Sequence, residues 1–224
     1  MFKFKRICVI VVSFLVLFVI VSNNSANAMD FVSVKKIVRY VPNAQGRVQE
    51  LNLQSSTGEN LNLEITLPSI KTRENIKMQL QKDKGLLGIF SKTKNYLSLE
   101  TSNMNYVDIY EIQGENPHMK FWCITSQYEG TLNTMTNFWL IGPYGTNNYV
   151  TYLTMDSLKN MGWDATYLDI YGLQNKFLLE GKRVVYGDLG RQIKLGQRYF
   201  VNWDSDAKWF SLEYISPDFD LMNM

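Results

Sequence analysis

Tyr106-Val107-Asp108-Ile109-Tyr110-Glu111-Ile112-Gln113 alternates its side chains at period two, and Tyr167-Leu168-Asp169-Ile170-Tyr171-Gly172-Leu173-Gln174 repeats the pattern. That period belongs to a β-strand. Five of the eight positions are identical and two exchange one aliphatic for another, at an offset of 61. At the same offset, give or take one, Asn137 to Leu153 lies over Arg198 to Glu213, two aromatic strand pairs around a polar turn. The spacing predicts a degenerate repeat, about 105–155 and 166–216, in which each copy supplies about four strands.

The surrounding chain agrees with an all-β reading. Leu61, Leu63, Ile65 and Leu67 stand at strict period two in Glu59 to Leu67, and Val48 to Gln54 precedes them across Ser55-Ser56-Thr57-Gly58, so a β-hairpin is expected. Phe31 to Val41 is β-branched and stops at Pro42, which suits a first strand. Beyond Tyr96 the chain is rich in Tyr, Trp, Phe, Val, Ile and Thr, broken every eight to twelve residues by Gly, Asn, Pro or Asp. Helical signals are short. Thr72 is placed to cap a helix from Arg73 to Lys82, and Thr154 one that carries Met155, Leu158 and Met161 and ends at Gly162. The expected fold is an antiparallel sandwich or barrel with one or two short helices; the alternative is α+β. A doubly wound fold would need long amphipathic helices between its strands, and the sequence lacks them.

Phe2-Lys3-Phe4-Lys5-Arg6 is basic, Ile7 to Val21 is an apolar run of 15 residues, and Ser22 to Ala28 is polar and ends in Ala-Asn-Ala. This is the pattern of a secretory signal peptide over residues 1–28, too short in its apolar part for a membrane span. The rest, 29–224, is expected to be one β-rich domain, exported and either secreted or periplasmic. Loss of Lys3, Lys5, Arg6 and Cys8 takes the formal charge from +2 to −1. A chain near neutrality without a basic block carries no footprint for nucleic acid. Cys123 is then left without an intramolecular partner and is expected to be buried and inert.

On β geometry Val107 and Ile109 face one way and Tyr106, Asp108 and Tyr110 the other; Leu168 and Ile170 split in the same way from Tyr167, Asp169 and Tyr171. With the aliphatic pairs in the core, two Tyr-Asp-Tyr sets are expected on the wetter face. There the tyrosines would give a rigid aromatic platform for a glycan or peptide, and the aspartate an acceptor; the competing role is cross-strand pairing within the sheet. Trp203 to Trp209 suits a hairpin tip with Asp and Ser as turn residues rather than a calcium loop, and Trp122 and Trp139 suit the core. Gly85 to Phe90, flanked by lysines, is expected to return to the core rather than enter a membrane. His118 and Cys123, five apart, fall on opposite faces of a regular strand, which disfavours a thiolate–imidazole pair.

No phosphate loop, nucleophile elbow or metal-ligand spacing is present, so no cofactor or metal is expected. The function expected is that of an exported, non-catalytic binding or interaction module for an extracytoplasmic ligand or protein, with membrane contact limited to export. The alternative is a two-carboxylate hydrolase of extracellular or cell-wall glycans, for which Asp108, Glu111, Glu115, Glu129 and Asp169 are eligible.

Overall fold

The computed structural model describes residues 28–29, 31–72, 74–82, 94–102, 104–115, 119–129, 134–146, 148–163, 165–173, 175–187 and 190–216. The first half of the chain forms β1 (Ala28–Met29), β2 (Phe31–Tyr40), β3 (Arg47–Gln54), β4 (Asn60–Leu67), β5 (Ile76–Lys82), β6 (Asn95–Thr101) and β7 (Tyr106–Gly114). The second half adds β8 (Lys120–Glu129), β9 (Thr134–Pro143), β10 (Tyr149–Thr154), helix α1 (Met155–Asn160), β11 (Tyr167–Leu173), β12 (Lys176–Gly187), β13 (Gly190–Asp204) and β14 (Trp209–Ile215).

These strands make three antiparallel sheets: β3-β4-β5-β6, β10-β9-β8-β7-β2, and β1-β13-β12-β11 with β14 beside β13. The fold is a layered all-β sandwich, not a closed barrel. The β2/β7–β10 sheet is the middle layer. Val107, Ile109, Trp122, Ile124 and Ile141 pack on the β3–β6 sheet with Leu61, Leu63, Ile65 and Met78. Ile112, Phe121, Cys123, Phe138 and Leu140 pack on the opposite sheet with Leu168, Ile170, Phe177 and Val201. β8 is covered on both faces, so Phe121 to Gln127 are buried without interruption, the polar Thr125, Ser126 and Gln127 included.

Several local expectations hold. The 48–54 and 59–67 segments pair as β3 and β4 in regular register from Arg47↔Leu67 to Gln54↔Asn60. Helix α1 is capped by Thr154, whose side chain accepts from the Ser157 N–H while Ser157 reaches back in a capping box. Past it, Gly162 takes the left-handed φ of +88° that ends the turn. Trp203 to Trp209 is the β13–β14 hairpin tip, where Asp204 Oδ1 accepts from the N–H groups of Asp206 and Ala207 at 2.9 Å each. Cys123 is buried.

The helix expected from Arg73 to Lys82 is instead strand β5. Ile76, Met78 and Leu80 bury themselves at period two, and β5 lies hydrogen-bonded between β4 and β6. The Thr72 hydroxyl donates to the Ser69 carbonyl at 3.0 Å. Ladder bonds on both sides and three fully buried side chains outweigh the weak local propensity for a helix. Residues 1–27, Gly85 to Phe90 and His118 lie outside the described residues, so the signal peptide, the lysine-flanked loop and the His118–Cys123 relation belong to the sequence reading alone. Among the described residues no helix is long and apolar enough to cross a membrane.

Strands β7–β10 and β11–β14 are each a four-stranded meander, and the two face each other across one apolar layer. β11 crosses the middle sheet obliquely. At its start Thr136 Oγ1 of β9 donates to the Thr166 carbonyl at 2.8 Å, and Thr134 Oγ1 donates to the Tyr167 hydroxyl at 3.3 Å. Near its end Gly172 rides on β2 so closely that a Cβ there would meet the Val34 nitrogen at 3.2 Å. Just beyond, the Phe31 N–H donates to the Asn175 carbonyl at 2.7 Å.

Candidate functional site

Lys36 and Arg39 are three residues apart, which on a regular strand puts them on opposite faces. β2 is bulged between Lys36 and Val38, so Lys36 pairs with Tyr110 and Arg39 with Asp108, and both cations come to one face of the middle sheet. There they close on one carboxylate. Arg39 Nε donates to Asp108 Oδ1 at 2.7 Å, Arg39 Nη2 to Oδ2 at 2.6 Å, and Lys36 Nζ to Oδ2 at 2.9 Å. The two-point Arg–carboxylate geometry is the strong, orienting form of the contact. The guanidinium also lies 3.8 Å from the Tyr106 ring centroid and the ammonium 5.2 Å from that of Tyr110.

Asp108 is 3% exposed. Burial alone pushes its pKa up, but the hydrogen bonds and charges of Arg39 and Lys36 together outweigh burial and hold it below the ordinary carboxylate range. Arg39 is held more firmly protonated by the Asp108 hydrogen bond, against a smaller opposing effect of burial.

The second Tyr-Asp-Tyr set sits on β11, at the edge of an outer sheet. Asp169 pairs with Glu180 and Tyr167 with Lys182, which puts Lys182 diagonally across from Asp169. Lys182 Nζ donates to Asp169 Oδ2 at 2.5 Å and lies 3.4 Å from Glu180 Oε1, while the Tyr171 hydroxyl donates to Asp169 Oδ2 at 3.2 Å. The Asp169 side chain is 44% exposed. Burial works against the Lys182 charge, yet the hydrogen bond and the field of Asp169 raise its pKa overall.

The oblique crossing of β11 brings the two sets to one place. Tyr106 is pushed up to about 12, first by burial and then by Glu129, with smaller effects from Asp108 and Asp169. Tyr110 is raised by burial and by the same two carboxylates. Each phenol also feels Arg39. Tyr106, Tyr110 and Tyr167 are half-buried and Tyr171 is exposed.

This differs from the wetter-face expectation at one position. Asp108 lies beneath the surface with its two oxygens taking three hydrogen bonds, while Tyr106 and Tyr110 on the same face are half-buried. What solvent meets there are the cations above it. The sequence reading did not name Lys36 or Arg39. Two basic residues around Ile37 were the visible signal, but the bulge that brings them to one face is set by pairing with β7.

Of the other eligible carboxylates, Glu129 joins the site, its Oε1 accepting from the Tyr106 hydroxyl at 3.5 Å, while Glu111 pairs with Lys120 at 3.3 Å and Glu115 is exposed. Burial raises the Cys123 thiol well above its ordinary value, so it is no thiolate at neutral pH. Among the described residues no three His, Cys, Asp or Glu side chains gather as metal ligands would.

Comparison of the chain with protein-family models, with curated proteins and with solved structures gives no match.

Proposed function

We propose that the chain is an exported, non-catalytic binding module that takes a saccharide on the surface formed by Tyr106, Tyr110, Tyr167, Tyr171, Asp169 and the Lys36–Arg39 fork. One observation carries the reading: half-buried Tyr106 and Tyr110 lie against the exposed Lys36–Arg39 fork above Asp108, and exposed Tyr171 stands beside Asp169, with the charged groups of both sets already fixed. Sugar hydroxyls both donate and accept, and this surface offers Asp169 to the first kind of contact and the fork to the second. Preset side chains lose little entropy when a ligand arrives. The amino-terminal leader supplies the export half of the reading.

Hydrolysis fits less well. Asp108 is kept ionised by its partners, so it is a poor general acid. Three surface cavities of about 530, 400 and 200 Å³ have no carboxylate among their described lining residues.

The test is calorimetric titration of residues 29–224 with a panel of oligosaccharides and, separately, oligopeptides. Tyr171→Ala, at an exposed position, is expected to weaken saccharide binding about tenfold while leaving the melting temperature within about a degree. Saccharide affinity that is unmoved by both Tyr171→Ala and Asp169→Ala would place the ligand elsewhere and end this reading. Binding of peptides alone would reassign the ligand.

A further inference from the structure

The fork above Asp108 narrows the ligand further, on the basis of the saccharide reading just given. We infer that the saccharide is acidic, and that a uronate carboxylate docks on the exposed edge of Lys36 and Arg39.

Charge is the first argument. Two cations meet one carboxylate in the Lys36–Arg39–Asp108 group, so a surplus of one positive charge is fixed at that end of the surface. It is held at the surface, because the Lys36 and Arg39 side chains are 41% and 45% exposed while that of Asp108 is 4% exposed.

Donor accounting is the second. Asp108 takes the Arg39 Nε–H, one Nη2–H and one Lys36 proton. That leaves both Nη1 hydrogens, the second on Nη2 and two on the ammonium. A planar guanidinium pinned at two points, with its ring-side face on Tyr106 at 3.8 Å, presents those remaining donors in one orientation. Carboxylate geometry matches such an edge.

Three probes decide it by calorimetric titration: xylotriose carrying one glucuronate, its methyl ester, and plain xylotriose. The acid is expected to bind about tenfold more tightly than the ester, with the ratio falling as salt is raised. In Lys36→Gln, and in Arg39→Lys, which keeps the charge but loses the planar edge, the ratio is expected to fall toward one. Circular dichroism of both variants confirms that the fold is kept. Equal affinity for acid and ester in the wild type overturns the uronate inference and leaves the saccharide reading standing. If none of the three binds, the uronate inference falls, and the saccharide reading falls with it only if the oligosaccharide panel shows no binding either.

Discussion

Asp108 and Asp169 sit at the centre of the same Tyr-aliphatic-Asp-Ile-Tyr sequence, yet one is buried under two cations and the other stands at the surface with one. The layer makes the difference. β7 is in the middle sheet, so the face opposite Val107 and Ile109 is also covered, by β2's cations and by the crossing β11. β11 is the edge of an outer sheet, so the face opposite Leu168 and Ile170 keeps its access to water. Identical side chains become a structural anchor in one place and an open acceptor in the other. Local sequence sets which residues share a face, and the neighbouring sheet sets what that face is used for.

The aliphatic slots should separate the two strands most. Ile109→Ala, in a fully buried position, is expected to cost about 3–5 kcal/mol, and Ile170→Ala, nearer the edge, about 2–3 kcal/mol. Urea unfolding of both variants measures this, and equal losses would mean that the middle layer is no more tightly packed than the outer one.

The aspartates come next. Breaking a buried pair costs about 3–5 kcal/mol when both partners are buried; here Lys36 and Arg39 are nearly half exposed, so Asp108→Asn is expected to cost about 2 kcal/mol. Asp169→Asn, at an exposed pair, should cost less than about 1 kcal/mol. Reversal of that order would overturn the contrast drawn above.

Acid gives the finest cut. The pKa of Asp108 is lowered in the folded state, so its ion pairs stabilise the fold fully above the ordinary carboxylate value near ~4 and lose that contribution as pH falls through the lowered folded value. The stability gap between wild type and Asp108→Asn should therefore be constant from pH 7 to 5 and close at lower pH. A gap that persists at pH 2 would show that the cost of Asp108→Asn comes from packing rather than charge.

Much of the fold could be read from single strands and turns. Period two in 61–67, β-branched residues in 31–41, the Thr154 cap and the Asp204 turn are local facts, and the structure follows each. Residues 76–82 were misread because Ile76 and Leu80 suit a helix contact as well as a strand face, and only β4 and β6 decide between them. The tyrosines and aspartates of the site were named from their alternation, but the cations were not. Lys36 and Arg39 reach Asp108 only through a bulge, and a bulge is a property of two paired strands rather than of one.

The sequence by itself determined most of the strands and turns and the split of each Tyr-Asp-Tyr set from its aliphatic neighbours, because alternation and turn chemistry act within a few residues. The tertiary structure alone decided that three sheets stack, that Asp108 is buried beneath two cations of β2, and that β11 crosses the middle sheet from β9 to β2. Those outcomes depend on which apolar face meets which across distant parts of the chain. Burial is non-directional and leaves no spacing in the sequence to announce it.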